Sequence, residues 1–149
     1  MIGSLVFIGL LVILSIFLTN YFSDFKSEWY KSLETPSFQP PPVAFSVIWT
    51  FLYIIIWLTI SITYSKDRTI LFPFLILLTL LVLWAFVYFK LQSLWGASIV
   101  LLITLVVSFI VWKKMLNVNQ NSIVPSSFFL FIAWIFVATT LNITSAIKN

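Results

Sequence analysis

The stretch VAFSVIWTFLYIIIWLTISITY, from Val43 to Tyr64, holds no charged side chain. A helix needs about 20 apolar residues to cross the hydrocarbon of a bilayer, and this run supplies them without interruption. Pro42 stands just before its first turn, where a missing amide hydrogen costs a helix nothing. Lys66, Asp67 and Arg68 mark the outer edge, where water resumes. Outward from this run, four more are as apolar, at about 2–22, 70–89, 94–116 and 124–147, with Lys113 and Lys114 placed to snorkel from the end of the third of these and Pro73 and Pro125 each in a first turn.

The chain therefore reads as an all-α integral membrane protein, a single domain over 1–149 built as a five-transmembrane-helix bundle with its termini on opposite faces. Composition agrees: of the 149 residues, 62% are apolar and 8% charged, too little charge to solvate an ordinary globule. Strict alternation of apolar and polar residues is nowhere sustained, so a β-barrel lacks support. The first run has no basic flank before it and no small-residue cleavage pattern after it, and is expected to be a span rather than a removable signal peptide.

Asp24, Lys26, Glu28, Lys31 and Glu34 place the segment 23–42 outside the membrane, and 117–122 is a second polar loop. Basic residues divide evenly, with Lys66, Arg68, Lys113 and Lys114 on one face and Lys26, Lys31, Lys90 and Lys148 on the other. The first set sits more tightly at helix ends, which points to a cytoplasmic N-terminus. The net charge of +4 is shared between both faces, beside lipid headgroups, and leaves no footprint for nucleic acid.

The chain has no Cys and no His. Disulfides, thiolate chemistry, iron–sulfur clusters and the commonest metal ligand and general base are excluded together, and no metal site is expected. Seven residues are Trp. Trp29, Trp95 and Trp112 fall near the expected interfaces, as an aromatic belt does. Trp49, Trp84 and Trp134 lie within spans, where an indole N–H needs a partner.

Phe45, Trp49, Tyr53 and Trp57 recur every four residues, drifting by about 40° per step, so they form one stripe on one helix face. Trp84 and Tyr88 repeat that spacing in the third span, and Trp134, Ala138, Leu141 and Asn142 set a small residue beside a large ring in the fifth. Such rings either pack helix on helix or wall a cavity. Tight membrane-helix contacts favour small residues, so large rings on several spans point toward a planar or polycyclic ligand. Asn142 either orients that ligand or bonds a neighbouring helix. Pro36, Pro40, Pro41 and Pro42 stiffen the loop above the second span, as a lid or as a plain connector.

Trp29, Tyr30, Leu33, Pro36, Pro40, Pro41, Phe45, Trp49, Leu52 and Tyr53 together spell W-Y-x-x-L-x-x-P-x-x-x-P-P-x-x-x-F-x-x-x-W-x-x-L-Y. This resembles the TspO/MBR family, the tryptophan-rich sensory proteins and mitochondrial translocator proteins, also called peripheral-type benzodiazepine receptors. Trp134, Ala138, Leu141 and Asn142 are similar to the family's W-x-x-F-A-x-x-L-N, with Val137 in the Phe position. The chain departs from the family pattern at Phe38, where Trp is common, and at Thr35, where Lys is common. No Asn stands near Trp84 to Phe89, which leaves polar ligand contacts from the third span without a match. The Tyr-then-Arg sterol pattern of animal members is absent from the last span, so cholesterol is not an expected partner.

The resemblance implies a five-helix protein, often a homodimer, that binds porphyrins of the protoporphyrin IX type and accepts isoquinoline and benzodiazepine drugs. Its ligand-binding residues would be Trp29, Tyr30, Phe45, Trp49, Tyr53, Trp84, Tyr88, Trp134, Ala138, Leu141 and Asn142, under a Pro-rich lid of Pro36, Phe38, Pro40 and Pro41. The expected role is tetrapyrrole sensing, transport or regulation in a bacterial cytoplasmic membrane. No cofactor is required, and a porphyrin is ligand or substrate. Without His or Cys to hold iron, metal-free protoporphyrin is favoured over haem, and Lys26, Lys31 or Lys90 would meet its propionates. The alternative is an enzyme of light- and oxygen-dependent porphyrin breakdown, with Trp134 and Trp29 or Trp49 as electron donors. A third reading, a structural membrane subunit without a ligand, expects a solid bundle.

Overall fold

A computed structural model describes residues 1–120 and 122–149, so Asn121 of the expected loop 117–122 lies outside the described residues. The described residues form helices and no strands. Helix α1 spans Ile2–Phe22, a short α2 covers Glu28–Ser32, and α3 runs Pro42–Lys66. Helix α4 covers Leu71–Ala85, α5 Leu94–Val118 and α6 Ile123–Lys148. A 3₁₀ turn, Arg68–Ile70, leads into α4, and a π-helical turn, Phe86–Lys90, ends it. Counting those turns with α4, five segments are long and apolar enough to cross a membrane.

Helix is what hydrocarbon demands, because each backbone N–H and C=O must be bonded within its own segment. The ends are written in side chains. Pro42 opens α3 at its first position. Asp67 Oδ1 accepts from the Thr69 amide at 2.9 Å and the Thr69 hydroxyl at 2.6 Å, which starts the 3₁₀ turn. Those bonds, the hydroxyl's first and then the amide's, hold the Asp67 carboxyl below the ordinary carboxylate range. Between α4 and α5 the chain reverses so tightly that Gln92 takes φ 53°, the left-handed region, and Ser93 Oγ then caps α5 by accepting from the Gly96 amide. Within the first loop, α2 forms because Ser27 Oγ accepts from the Tyr30 amide as an N-cap.

The spans close a ring in which α1 packs on α3, α3 on α6, α6 on α5, α5 on α4, and α4 on α1. The α5–α6 seam is the most extensive. Helix α5 offers it small buried side chains, among them Ala97, Ser98, Thr104 and Ser108, which let two backbones approach where no hydrophobic effect separates helix from lipid.

Alternating direction gathers the first loop, the turn 90–94 and the end of α6 at one end of the bundle, here the loop end. Residues 66–70 and the α5–α6 connection form the far end. The far half is solid: Ile8, Ile56, Phe74, Leu77, Phe128 and Phe131 are fully buried in one cluster. Asn119 closes it, donating to Thr63 Oγ1 and to the Met115 carbonyl, each at 3.0 Å, and accepting from Lys66 Nζ at 3.0 Å. Trp112 Nε1 donates to the Pro125 carbonyl at 3.0 Å and ties α5 to α6.

Candidate functional site

Toward the loop end the helices draw apart around a cavity of about 880 Å³. Its walls come from α1, α3, the end of the third span and α6, with Gln39 and Pro40 from the first loop. Helix α5 contributes no side chain to that lining.

The aromatic stripe of α3 forms one wall, since Phe45, Trp49, Tyr53 and Trp57 all border the cavity. The fourth ring is also a clasp. Trp57 Nε1 donates to the Leu5 carbonyl at 2.8 Å, and a Cβ on Gly9 would stand 3.0 Å from that nitrogen, so the absence of a side chain at Gly9 is what brings α1 this close. Trp134 stands behind the wall rather than in it, with its ring 5.5 Å from Phe45 and 6.4 Å from Trp49, centroid to centroid. Its Nε1 is buried and bonds to no described group.

Opposite, the π-helical turn aims the rings of the third span. The Leu91 amide donates to the Phe86 carbonyl, five residues back, at 3.2 Å. The extra residue in that turn turns Phe89 inward beside Trp84 and Tyr88, and all three line the cavity; single π turns recur at such sites. Helical spacing identifies Trp84 and Tyr88 but passes over Phe89, because a four-residue period is blind to an inserted one.

Ala138, Leu141 and Asn142 complete the wall from α6. The two alternatives for Asn142 separate here: its Nδ2 donates to the Leu94 carbonyl and to Ser98 Oγ, both in α5 and both at 2.8 Å. Its Oδ1 accepts from Trp84 Nε1 at 3.4 Å. The amide is a tie among three spans, with both donors used.

At the mouth, Tyr30 lines the cavity and packs its ring against Phe25, Tyr88 and Phe89. Burial pushes its phenol above the ordinary range, outweighing the Gln39 hydrogen bond, so it remains a neutral donor near neutral pH. Trp29 packs on Tyr88 from outside, at 5.6 Å, and does not reach the cavity. Of the four expected lid residues only Pro40 borders it; Pro36 is buried away from it, and Pro41 and the exposed Phe38 are not part of the lining. The loop is fastened to α6: Asn149 Oδ1 accepts from the Glu34 amide at 2.9 Å, Asn149 Nδ2 donates to the Glu34 carbonyl at 3.1 Å, and Lys148 Nζ reaches the Thr35 carbonyl at 3.3 Å.

Sequence reasoning assigned no site residue to the first span. Yet Val12, Ile16, Thr19 and Asn20 form the α1 side, and Ser23, Phe25 and Ser145 join the rim. The available signal was the polar trio Ser15, Thr19 and Asn20 in an otherwise apolar run, since polar groups in a span are costly without a purpose.

Electrostatically the cavity is bare. No charged side chain lines it, and Lys26, Lys31 and Lys90 all stand outside the lining, Lys31 paired with Glu28 at 3.0 Å. No group of three metal-ligating side chains exists among the described residues.

Two comparisons bear on this architecture. The tryptophan-rich protein TspO of Bacillus cereus is 29% identical over 119 aligned residues, covering 71% of this chain and 76% of that protein. A model of the TspO/MBR family matches residues 6–147. That match runs from the first span into the last and takes in every wall of the cavity, and the chain therefore belongs to the TspO/MBR family of integral membrane proteins.

Proposed function

We propose that the protein binds a planar aromatic ligand of the porphyrin class, metal-free protoporphyrin above all, in the cavity at the loop end, and acts in tetrapyrrole sensing, transport or regulation. One observation carries the reading: rings from three elements, Trp49 and Tyr53 of α3, Trp84, Tyr88 and Phe89 of the third span and Tyr30 of α2, face one hollow of about 880 Å³. That volume is within the range of small-molecule sites, and aromatic walls with few polar groups are their usual lining. Stacking and enclosure do the binding, and nothing there would ligate iron. With no cation in the lining, propionates belong at the mouth, in water. The first loop serves as the lid, held by the Glu34–Asn149 clasp. A ligand-free structural subunit has no use for such a hollow.

Titrating the protein in lipid nanodiscs with protoporphyrin IX while following Trp fluorescence tests this. Saturable quenching is expected, weakened about tenfold or more by Trp49→Ala. Non-saturable quenching, or quenching that ignores the substitution, overturns the reading.

A second reading is favoured by the contact between Trp49 and Trp134. A porphyrin excited by light, with oxygen as oxidant, would have one indole at the wall and a second 6.4 Å behind it to supply electrons. Trp29, 5.6 Å from the lining Tyr88, stands in the same relation to the opposite wall. Illumination in air distinguishes the two: a new absorption band from a ring-opened tetrapyrrole, lost in Trp134→Phe, supports chemistry, whereas bleaching identical to free porphyrin leaves binding alone.

A further inference from the structure

Hydroxyls inside membrane helices ordinarily close on their own backbone. Thr59, Thr63, Thr104, Ser108 and Thr139 do so here, each donating to the carbonyl one turn earlier. Ser15 and Thr19 of α1 do not. Both oxygens are buried and bond to no described group, and Ser15 is only 4% exposed. Four residues apart, they share one face of α1. The Tyr53 phenol of α3 interacts with both hydroxyls, without closing a hydrogen bond of ordinary geometry. Thr19 and Tyr53 line the cavity, and Ser15, one turn back along α1, borders a second, smaller hollow between α1 and α4. Two hydroxyls that could satisfy themselves on their own helix thus turn toward the Tyr53 phenol instead, in an apolar wall where an unmet polar group is expensive.

We propose that Thr19 and Tyr53, backed by Ser15, form a neutral hydrogen-bonding subsite that takes an uncharged carbonyl oxygen of the bound molecule. The inference rests on the reading of the cavity as an aromatic-ligand site and extends it to flat molecules other than protoporphyrin, whose only oxygens are in its propionates. A charged acceptor does not fit, because no cation lines the cavity to offset a desolvated carboxylate. Asn142 does not supply the donor, since both of its N–H groups are spent on α5. The subsite adds direction to a pocket whose rings alone would accept a flat molecule in several orientations, since stacking is tolerant and hydrogen bonds are not.

A matched pair of probes tests it: benzoylnaphthalene, an aryl ketone, and benzylnaphthalene, in which a methylene replaces the carbonyl. Both are titrated calorimetrically into the full-length protein in nanodiscs. The wild type is expected to bind the ketone more tightly. Thr19→Val and Tyr53→Phe are each expected to weaken the ketone about five- to tenfold and to change the hydrocarbon less than about twofold. Thr19→Ser, which keeps the hydroxyl, is expected to retain ketone preference and guards against a folding artefact. Equal wild-type affinity for the two probes, equal losses for both in the variants, or ketone binding indifferent to both substitutions overturns the subsite while leaving the cavity reading in place. Failure of both probes and of protoporphyrin IX to bind the wild type overturns the cavity reading, and the subsite with it.

Discussion

The two ends of this bundle treat buried polarity in opposite ways. At the far end every buried polar group among the described residues finds a partner: Asn119 makes three bonds, and the Trp112 indole reaches the Pro125 carbonyl. Toward the loop end, the Ser15 and Thr19 hydroxyls and the Trp134 indole are buried with none. Thr19 stands in the cavity wall and Trp134 behind it, and Ser15 borders a smaller hollow between α1 and α4. Membrane helices gain little from hiding apolar surface, so they hold together by close packing and by completed hydrogen bonds. The far end has both and sets the arrangement of the spans. The loop end forgoes some of each, which leaves a hollow and buried polar groups without partners.

The sharpest way to break that contrast is to remove a ring from each half. Phe128 is fully buried in the solid core, and Phe128→Ala is expected to cost about 3 kcal/mol or more of stability, because its neighbours cannot collapse into the gap. Trp49 faces a hollow that already exists, so Trp49→Ala forfeits contacts on one side only and is expected to cost less than half as much while abolishing tight porphyrin binding. Thermal unfolding in detergent alongside protoporphyrin titration reads both. Equal destabilisation by the two truncations would show that the loop end is as load-dependent on its rings as the far end.

A finer test applies one substitution at both ends. Trp112→Phe deletes an indole N–H that has a carbonyl partner and strands that partner, and about 1 kcal/mol of stability is expected to go with it. Trp134→Phe deletes an indole N–H with no partner, so stability is expected to hold or to rise by about 1 kcal/mol. Opposite signs, read as shifts in the unfolding midpoint, sustain the contrast; a loss at both sites refutes it.

The contrast also explains what could be read from the chain before its structure. Five long apolar runs, charged at most near an end, specify five spans because length and hydropathy are local quantities, and the stripe Phe45, Trp49, Tyr53 and Trp57 specifies one wall because four-residue spacing survives in any straight helix. Phe89 was hidden by the π turn, whose added residue leaves no periodic trace. The α1 wall was legible only in the polar residues Ser15, Thr19 and Asn20, because the rest of that helix is almost uniformly apolar and carries no sign of which face turns inward. Trp134 was expected at the cavity, but sits a ring behind its wall, a distinction of depth that one-dimensional patterns do not hold. Asn142 was legible as a group needing partners, and the tertiary fold alone decided that α5 would provide them.

The smallest expected effect belongs to the far end's exposed edge. Thr69 holds the Asp67 carboxyl below the ordinary carboxylate range through its hydroxyl and then its amide. A carboxylate depressed in the folded state contributes stability that is present above its unfolded value and is lost as pH falls through the folded one. The 3₁₀ turn at Arg68–Ile70 should therefore loosen as pH drops below the ordinary carboxylate range, whereas Asp67→Ala lacks the cap at every pH. The difference in unfolding midpoint between wild type and variant is expected to be constant at neutral and mildly acidic pH and to shrink only below that range. The cavity should not feel this, because Asp67 lies at the opposite end and no titrating carboxylate lines the hollow. Affinity for an uncharged aryl ketone that stays level across the same acid range would separate the two ends once more; an affinity that falls in step with the Asp67 titration would show that they are coupled through α3 and α4.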